Sequence, residues 1–234
     1  MAYNCATSIK AAFHYNETFA MKVALPLMAA SAAPDHQTVL PQIIGFAFEK
    51  MRGIPVVGGS VDIYYHDAFT KFWKLMEPVV RDATDKYTEA EVWFFGHSLG
   101  GGLASIASTV VSAKKMVLAS RIKLITFGQP RVTDNLFAQR HDQLVPYSFR
   151  IINRHDGFTS MPARLPDNQK TGPFHHRYEV WYPKGMGPGA KFIASAMPED
   201  GFGHESTAAI LNVNDHLAMF GKVIGEWWQR ECKD

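Results

Sequence analysis

The 234-residue sequence has no stretch approaching the roughly 18 uninterrupted apolar residues that a membrane-spanning helix needs. Charge of one sign is not in excess either, since 24 Lys and Arg stand against 22 Asp and Glu. That balance leaves no electrostatic footprint for nucleic acid, and the short pair Lys114-Lys115 reads as an exposed helix face. Internal repeats, low-complexity tracts and long linkers are all missing. Residues 1–234 are therefore expected to form a single domain around one large core, supplied by 47% hydrophobic and 12% aromatic residues. No group of His, Cys, Asp and Glu has ligand spacing, so neither a metal nor another cofactor is expected.

Cysteine is nearly absent, with Cys5 near one end and Cys232 near the other. Paired, they would close almost the whole chain, a constraint worth about 5 kcal/mol in the loop-entropy picture, and would need an oxidising compartment. Unpaired, they are free thiols at frayed termini. The sequon Asn16-Glu17-Thr18, a glycosylation candidate, points to the extracellular side. The apolar run over residues 21–32 has the composition of a secretory signal. It begins twenty residues in, however, and Phe19, Val23, Leu27 and Ala30 recur at helical spacing, which favours an amphipathic helix.

What is present is an alternation of elements. Apolar residues at Tyr65, Phe69, Phe72, Trp73, Met76, Val80, Ala83 and Tyr87 predict a long helix, bent at Pro78. "EVWFF" reads as a buried strand, "SLGGGLASIASTVVSAKK" as a helix and "RIKLITFG" as a second strand. "DNLFAQRHDQL" is a short helix, "YSFRIINR" a third strand and "RYEVWYP" a fourth. Residues 183–203 read as a Gly/Pro-rich loop, and "STAAILNVNDHLAMFGKVIGEWW" as largely helical. Such alternation predicts a mostly parallel sheet covered by helices on both faces. Function is then expected beyond the carboxyl ends of the strands, near Gly96, Gly128 and Arg154.

At the first of these ends stands Gly96-His97-Ser98-Leu99-Gly100, a G-x-S-x-G pentapeptide between strand and helix. A serine on so sharp a turn takes a strained backbone conformation, and glycines two positions away leave room for the crossing chains. The turn raises the Ser98 hydroxyl above the sheet and sets Leu99 N–H at a helix N-terminus, where it can donate to an oxyanion. A nucleophilic serine needs a base, and the base an orienting acid. In this setting they follow in the order Ser, acid, His.

Asp156, at the end of "YSFRIINRHD", is the candidate acid; Asp134 also follows a strand but opens a helix, which suits an N-cap. The candidate bases downstream are His175, His176, His204 and His216. His175 and His176 are neighbours entering a strand, so one should face the core and the other solvent. His204 lies in the glycine-bracketed "GFGHES". His216 precedes the "LAMFG" turn, where a loop could return it over the sheet, and is preferred. His97 leaves the elbow in another direction and is excluded as the base.

The stretches "VWFFGHSLGGGLASIAS", "LITFGQPRVTDNLFA", "RIINRHDGFTSMPARLP", "HHRYEVWYP" and "NDHLAMFG" together resemble the class 3, or fungal-type, lipase family of the α/β-hydrolases, which has secreted nematode members. The resemblance covers most of the chain from Gly58 to Gly221. It implies an α/β-hydrolase fold, Ser98 as nucleophile, Asp156 as acid, His216 as base, and a Cys5–Cys232 disulfide tying the N-terminal helix to the C-terminus. It also implies secretion and a lipid or other ester substrate, with triacylglycerol the first expectation.

Two departures stand out. The family's D-x-V-P-x-L-P run is here Asp156-Gly157-Phe158-Thr159-Ser160-Met161-Pro162. Upstream, the apolar strand ending in R-G-[ST], whose Ser or Thr supplies a second oxyanion donor, has no counterpart: the family spacing counted back from Ser98 lands near Ala33-Pro34-Asp35-His36, where no such strand or turn stands, and Arg52-Gly53 lacks the following hydroxyl. Fewer N-terminal strands than in the family are therefore expected. Residues 42–52, with Ile43, Ile44, Phe46, Ala47, Phe48 and Met51, read as a lid helix or equally as a core helix rather than as the missing strand. Against the ester hydrolase stands a second expectation: a weak or inactive lipase-like protein that binds lipid or a partner, or a shortened isoform.

Overall fold

Five strands organise the fold in a computed structural model that describes residues 15–24, 50–164, 172–187, 189–199 and 212–230. They are β3 (Val92–His97), β4 (Ile122–Phe127), β5 (Tyr147–Asn153), β6 (Glu179–Tyr182) and β7 (Ile193–Ser195), in spatial order β3-β4-β5-β6-β7. The first four are parallel and β7 joins antiparallel. Rich in Ile and Phe, β4 and β5 are buried on both faces, as parallel strands under crossover helices must be. His97 pairs with Phe127, and Phe127 with Ile151, so β3, β4 and β5 end on one rim.

The period of two along β4 divides the core. Ile122 and Leu124 turn toward Val61, Tyr65, Phe69 and Val110, whereas Ile125 and Phe127 turn toward Ile151, Val180 and Met219. The first layer is built by α2 (Ile63–Lys86), α3 (Leu99–Ala113) and α4 (Asn135–Leu144). Helix α2 starts where Asp62 Oδ1 accepts from Tyr64 N–H, buries Tyr65, Phe69 and Trp73, and continues through Pro78. Asp134 caps α4 by accepting from Phe137 N–H at 2.7 Å and also holds Ser60 N–H at 2.9 Å, the capping role its position suggested. The second face is partly covered by α1 (Glu17–Phe19), which continues as a π-helical turn over Ala20–Ala24 and sets Phe19 on Trp93 at 4.3 Å.

Three expectations change. Met51 and Arg52 belong not to a lid helix but to β1 (Met51–Gly53), paired antiparallel with β2 (Ser60–Asp62), while residues 42–49 lie outside those described. The hairpin turns where Gly58 and Gly59 take φ of 78° and 130°, with Gly59 against the Phe137 backbone, so a distant packing partner settles this segment. The loop after β6 contains the edge strand β7. The C-terminal region is not continuously helical: α5 (Val213–Leu217) is followed by the hairpin β8 (Ala218–Met219) and β9 (Lys222–Val223), then α6 (Ile224–Gln229). Phe220 and Gly221, at φ of 50° and 76°, make the turn that a helix cannot accommodate. Among the described residues, β3 forms one edge of the central sheet.

Candidate active site

Ser98 sits between β3 and α3 with φ 53° and ψ −123°, a strained conformation for a residue bearing a Cβ. Its N–H bonds to Phe127 O at 2.9 Å and its carbonyl accepts from Gly101 N–H at 3.0 Å, so strand and helix both hold the turn. A Cβ on Gly96 would collide with the Gly100 carbonyl, which explains that glycine sterically. Gly100 differs from expectation: a Cβ there meets nothing within 4 Å. The close approach has moved to Gly102, where a Cβ would lie 2.5 Å from Tyr65 Cε1 and 2.8 Å from Val132 Cγ1. Leu99 opens α3, and first-turn N–H groups have no intrahelical acceptor.

Asp156 follows β5 and caps the short turn Gly157–Ser160 by accepting from Phe158 N–H. Its carboxylate receives His216 Nδ1–H, with Oδ1 at 2.9 Å and Oδ2 at 3.0 Å, and both side chains are fully buried. With Nδ1 carrying the proton, Nε2 keeps its lone pair. Among the described residues Nε2 is buried and has no hydrogen-bond partner. Phe158 stacks on one face of the imidazole at 4.2 Å, and the His97 ring lies against it at 4.6 Å.

The pair rests on Gly128, at the end of β4. There φ is +58°, and a Cβ would fall 2.7 Å from Asp156 Oδ2 and 2.9 Å from His216 Nδ1. Only glycine admits the acid and base at this distance. Since Phe127 also accepts from Ser98 N–H, one two-residue stretch supports the elbow on one side and the acid–base pair on the other.

Helix α5, carrying His216, is fastened to the strand that carries the acid. Asn153 Nδ2 donates to Asp215 O at 3.1 Å and Ala218 O at 2.7 Å, His155 N–H donates to Asp215 Oδ2, and Asn212 N–H donates to His155 O. The anchoring role of Asn153 was not foreseen; a buried asparagine at a strand end was its one sequence signal. A small cavity, mostly apolar but with Asp62 and Arg131 in its wall beside Tyr65, Pro130, Phe158, Met161 and Pro162, adjoins the site through Phe158.

The other candidate bases fall elsewhere. His175 and His176 do not divide between core and solvent, for both are buried, at 2% and 1% exposure. His175 Nε2 donates to Thr159 O, bracing the turn after the acid. His176 stacks on His141 at 3.9 Å and shares Ser148 Oγ with it. Burial, with Arg150 nearby, holds both well below the usual imidazole range; the same causes bring His141 down to about 3. These rings are neutral structural groups. His204, Cys5 and Cys232 lie outside the described residues, and Asn16 is exposed, its Oδ1 capping α1 through Phe19 N–H. Among the described residues no group of His, Cys, Asp and Glu is arranged to hold a metal.

The description "Lipase (class 3)" belongs to the family model that matches residues 33–165. A lipase of Caenorhabditis elegans is 29% identical over 199 residues, covering 74% of this chain and 56% of its own. A lipase of Rhizomucor miehei is 28% identical over 181 residues, covering 76% and 48%. The solved structure of the Rhizomucor miehei triacylglyceride lipase superposes with a TM-score of 0.71 at 25% identity, over 80% of this chain and 69% of that one. The chain thus spans about half the length of the curated relatives it matches.

Proposed function

Since the chain belongs to the class 3 lipase family, we propose that it is a serine hydrolase of carboxylic esters, with triacylglycerol as its substrate class and the extracellular space as its compartment. The observation that carries this reading is the buried Asp156–His216 pair, with Nδ1–H on the carboxylate and Nε2 without a partner among the described residues, beside an elbow that holds Ser98 at φ 53°. Ser98 Oγ attacks the ester carbonyl carbon while His216 Nε2 takes its proton, and Asp156 stabilises the resulting imidazolium. Leu99 N–H donates to the oxyanion. Collapse expels the alcohol with the proton from His216; water, activated by the same base, then releases the acid and restores Ser98.

The apolar cavity beside Phe158 and the triacylglyceride lipase among the structural relatives support an oily acyl substrate. Among the described residues no helix is long and apolar enough to cross a membrane. The sequon at Asn16 and the cysteines at both ends support secretion, with Cys5 and Cys232 as a disulfide. One observation favours the second reading, a weak hydrolase or lipid binder: Ile54 follows Arg52-Gly53, so a hydroxyl donor is missing there. Loss of one oxyanion donor costs about 100- to 1000-fold in rate.

A fluorophosphonate probe separates the two. Labelling of the folded wild type, lost in Ser98→Ala and suppressed in His216→Ala, is expected of the hydrolase. A folded wild type that takes up no probe and releases no p-nitrophenol from p-nitrophenyl butyrate would leave the binding protein standing.

A further inference from the structure

We propose that His97, the residue before the nucleophile, is a positioning residue that fixes the base His216 to the nucleophile's own strand. The proposal rests on the reading of Ser98, His216 and Asp156 as a triad. His97 Nε2 lies 2.8 Å from the backbone oxygen of His216, a contact between residues 119 apart in sequence. A carbonyl only accepts, so Nε2 is the protonated nitrogen of His97 and donates. That assignment gives His97 a use other than taking a proton from Ser98.

The bond matters because α5 is short, its start held by Asn212 Oδ1, which accepts from Asn214 N–H at 3.0 Å and Asp215 N–H at 3.4 Å. The helix has five residues, and His216 N–H reaches Asn212 O at 3.4 Å, the long end of a hydrogen bond. Its placement therefore depends on contacts from outside. From β5, Asn153 fastens the carbonyls of Asp215 and Ala218; from β3, His97 fastens the carbonyl between them, that of His216. The side chain has its own partners: Asp156 on Nδ1, Phe158 on one face and the His97 ring at 4.6 Å with an interplanar angle of 36°.

Without the His97 bond the imidazole keeps Asp156, but its backbone can pivot about that attachment. Such a pivot displaces Nε2, the atom farthest from the acid. The nucleophile's strand then no longer sets the distance over which the Ser98 proton must travel. A fault of this kind lowers the rate of the chemical step and leaves substrate binding alone.

The test uses the full chain and p-nitrophenyl butyrate, with kcat, KM and the melting midpoint measured for three variants. His97→Phe keeps a ring against His216 and removes the donor; His97→Gln places an amide near the position of Nε2; His97→Asn carries an amide too short to reach. The expected result is a fall in kcat of about tenfold or more for Phe and Asn, with KM unchanged and the proteins folded at the assay temperature, and recovery to within about threefold of wild type for Gln. Full kcat in the Phe variant overturns the proposal, as does a Gln variant as slow as a folded Asn variant. If the Phe variant does not fold, the comparison of Gln with Asn decides. Failure of the underlying triad looks different: fluorophosphonate labelling would then be absent from the folded wild type or would survive Ser98→Ala, whatever happens at position 97.

Discussion

Replacing Gly128 by alanine should weaken both the fold and the reaction, by amounts that follow from the end of β4. Its φ of +58° lies in the left-handed region, which costs a residue with a Cβ about 1–2 kcal/mol. The new methyl would stand 2.7 Å from Asp156 Oδ2, 2.9 Å from His216 Nδ1 and 3.0 Å from its Cε1. Relief needs a retreat of about half an ångström or more, since unbonded heavy atoms settle near 3.5 Å. The pair is fully buried, with Phe158 stacked on the ring, so retreat strains its neighbours. Overpacking of this kind costs about 1–3 kcal/mol, for a combined loss of about 2–5 kcal/mol.

A misplacement of 1 Å can cost about 100-fold in rate, so a shift of half that size should lower kcat about tenfold. Urea unfolding gives the first quantity and p-nitrophenyl butyrate hydrolysis, at a temperature where both proteins are folded, gives the second. Gly100→Ala is the internal control for stability: its methyl meets nothing within 4 Å at an exposed helical position, so the unfolding midpoint should hold or rise slightly. A Gly128→Ala protein with wild-type midpoint and wild-type kcat would refute the argument, because no close acid–base pair could then lie against that glycine.

Two further outcomes are expected. His141, His175 and His176 are held neutral by burial, below the ordinary 6.5; the unfolded chain therefore binds protons that the folded one refuses. The stability these rings contribute is complete above about pH 6.5 and is lost as pH falls toward about 3 for His141, with a slope of up to about 1.4 kcal/mol per pH unit for each ring. Melting midpoints that stay level from pH 7 to pH 5 would contradict this. Gly102→Ala puts a methyl 2.5 Å from the Tyr65 ring, and a loss of about 1–3 kcal/mol should appear as a melting midpoint lowered by several degrees; an unchanged midpoint would mean that α2 and α3 are not packed this closely.

What the sequence by itself determined was whatever depends on near neighbours and chain order. The apolar runs of β3, β4 and β5 and the period of α2 identify their elements because burial period is local. The elbow is legible because strand, strained serine and helix are contiguous, and the Asp134 cap because it lies three residues from its donor. Ser98 and Asp156 are nominated because they stand just beyond the ends of β3 and β5, and His216 because it comes late in the chain before the "LAMFG" turn. Tertiary structure decided the rest, since each remaining feature joins segments far apart in the chain. Met51 and Arg52 are strand because Ser60–Asp62 lies alongside them. His175 and His176 are both buried because one braces the turn after Asp156 and the other stacks on His141. Spacing selected His216 and excluded His97 as a base, but only folding could bring His97 Nε2 to the His216 carbonyl, because a hydrogen bond across 119 residues leaves no period in the sequence.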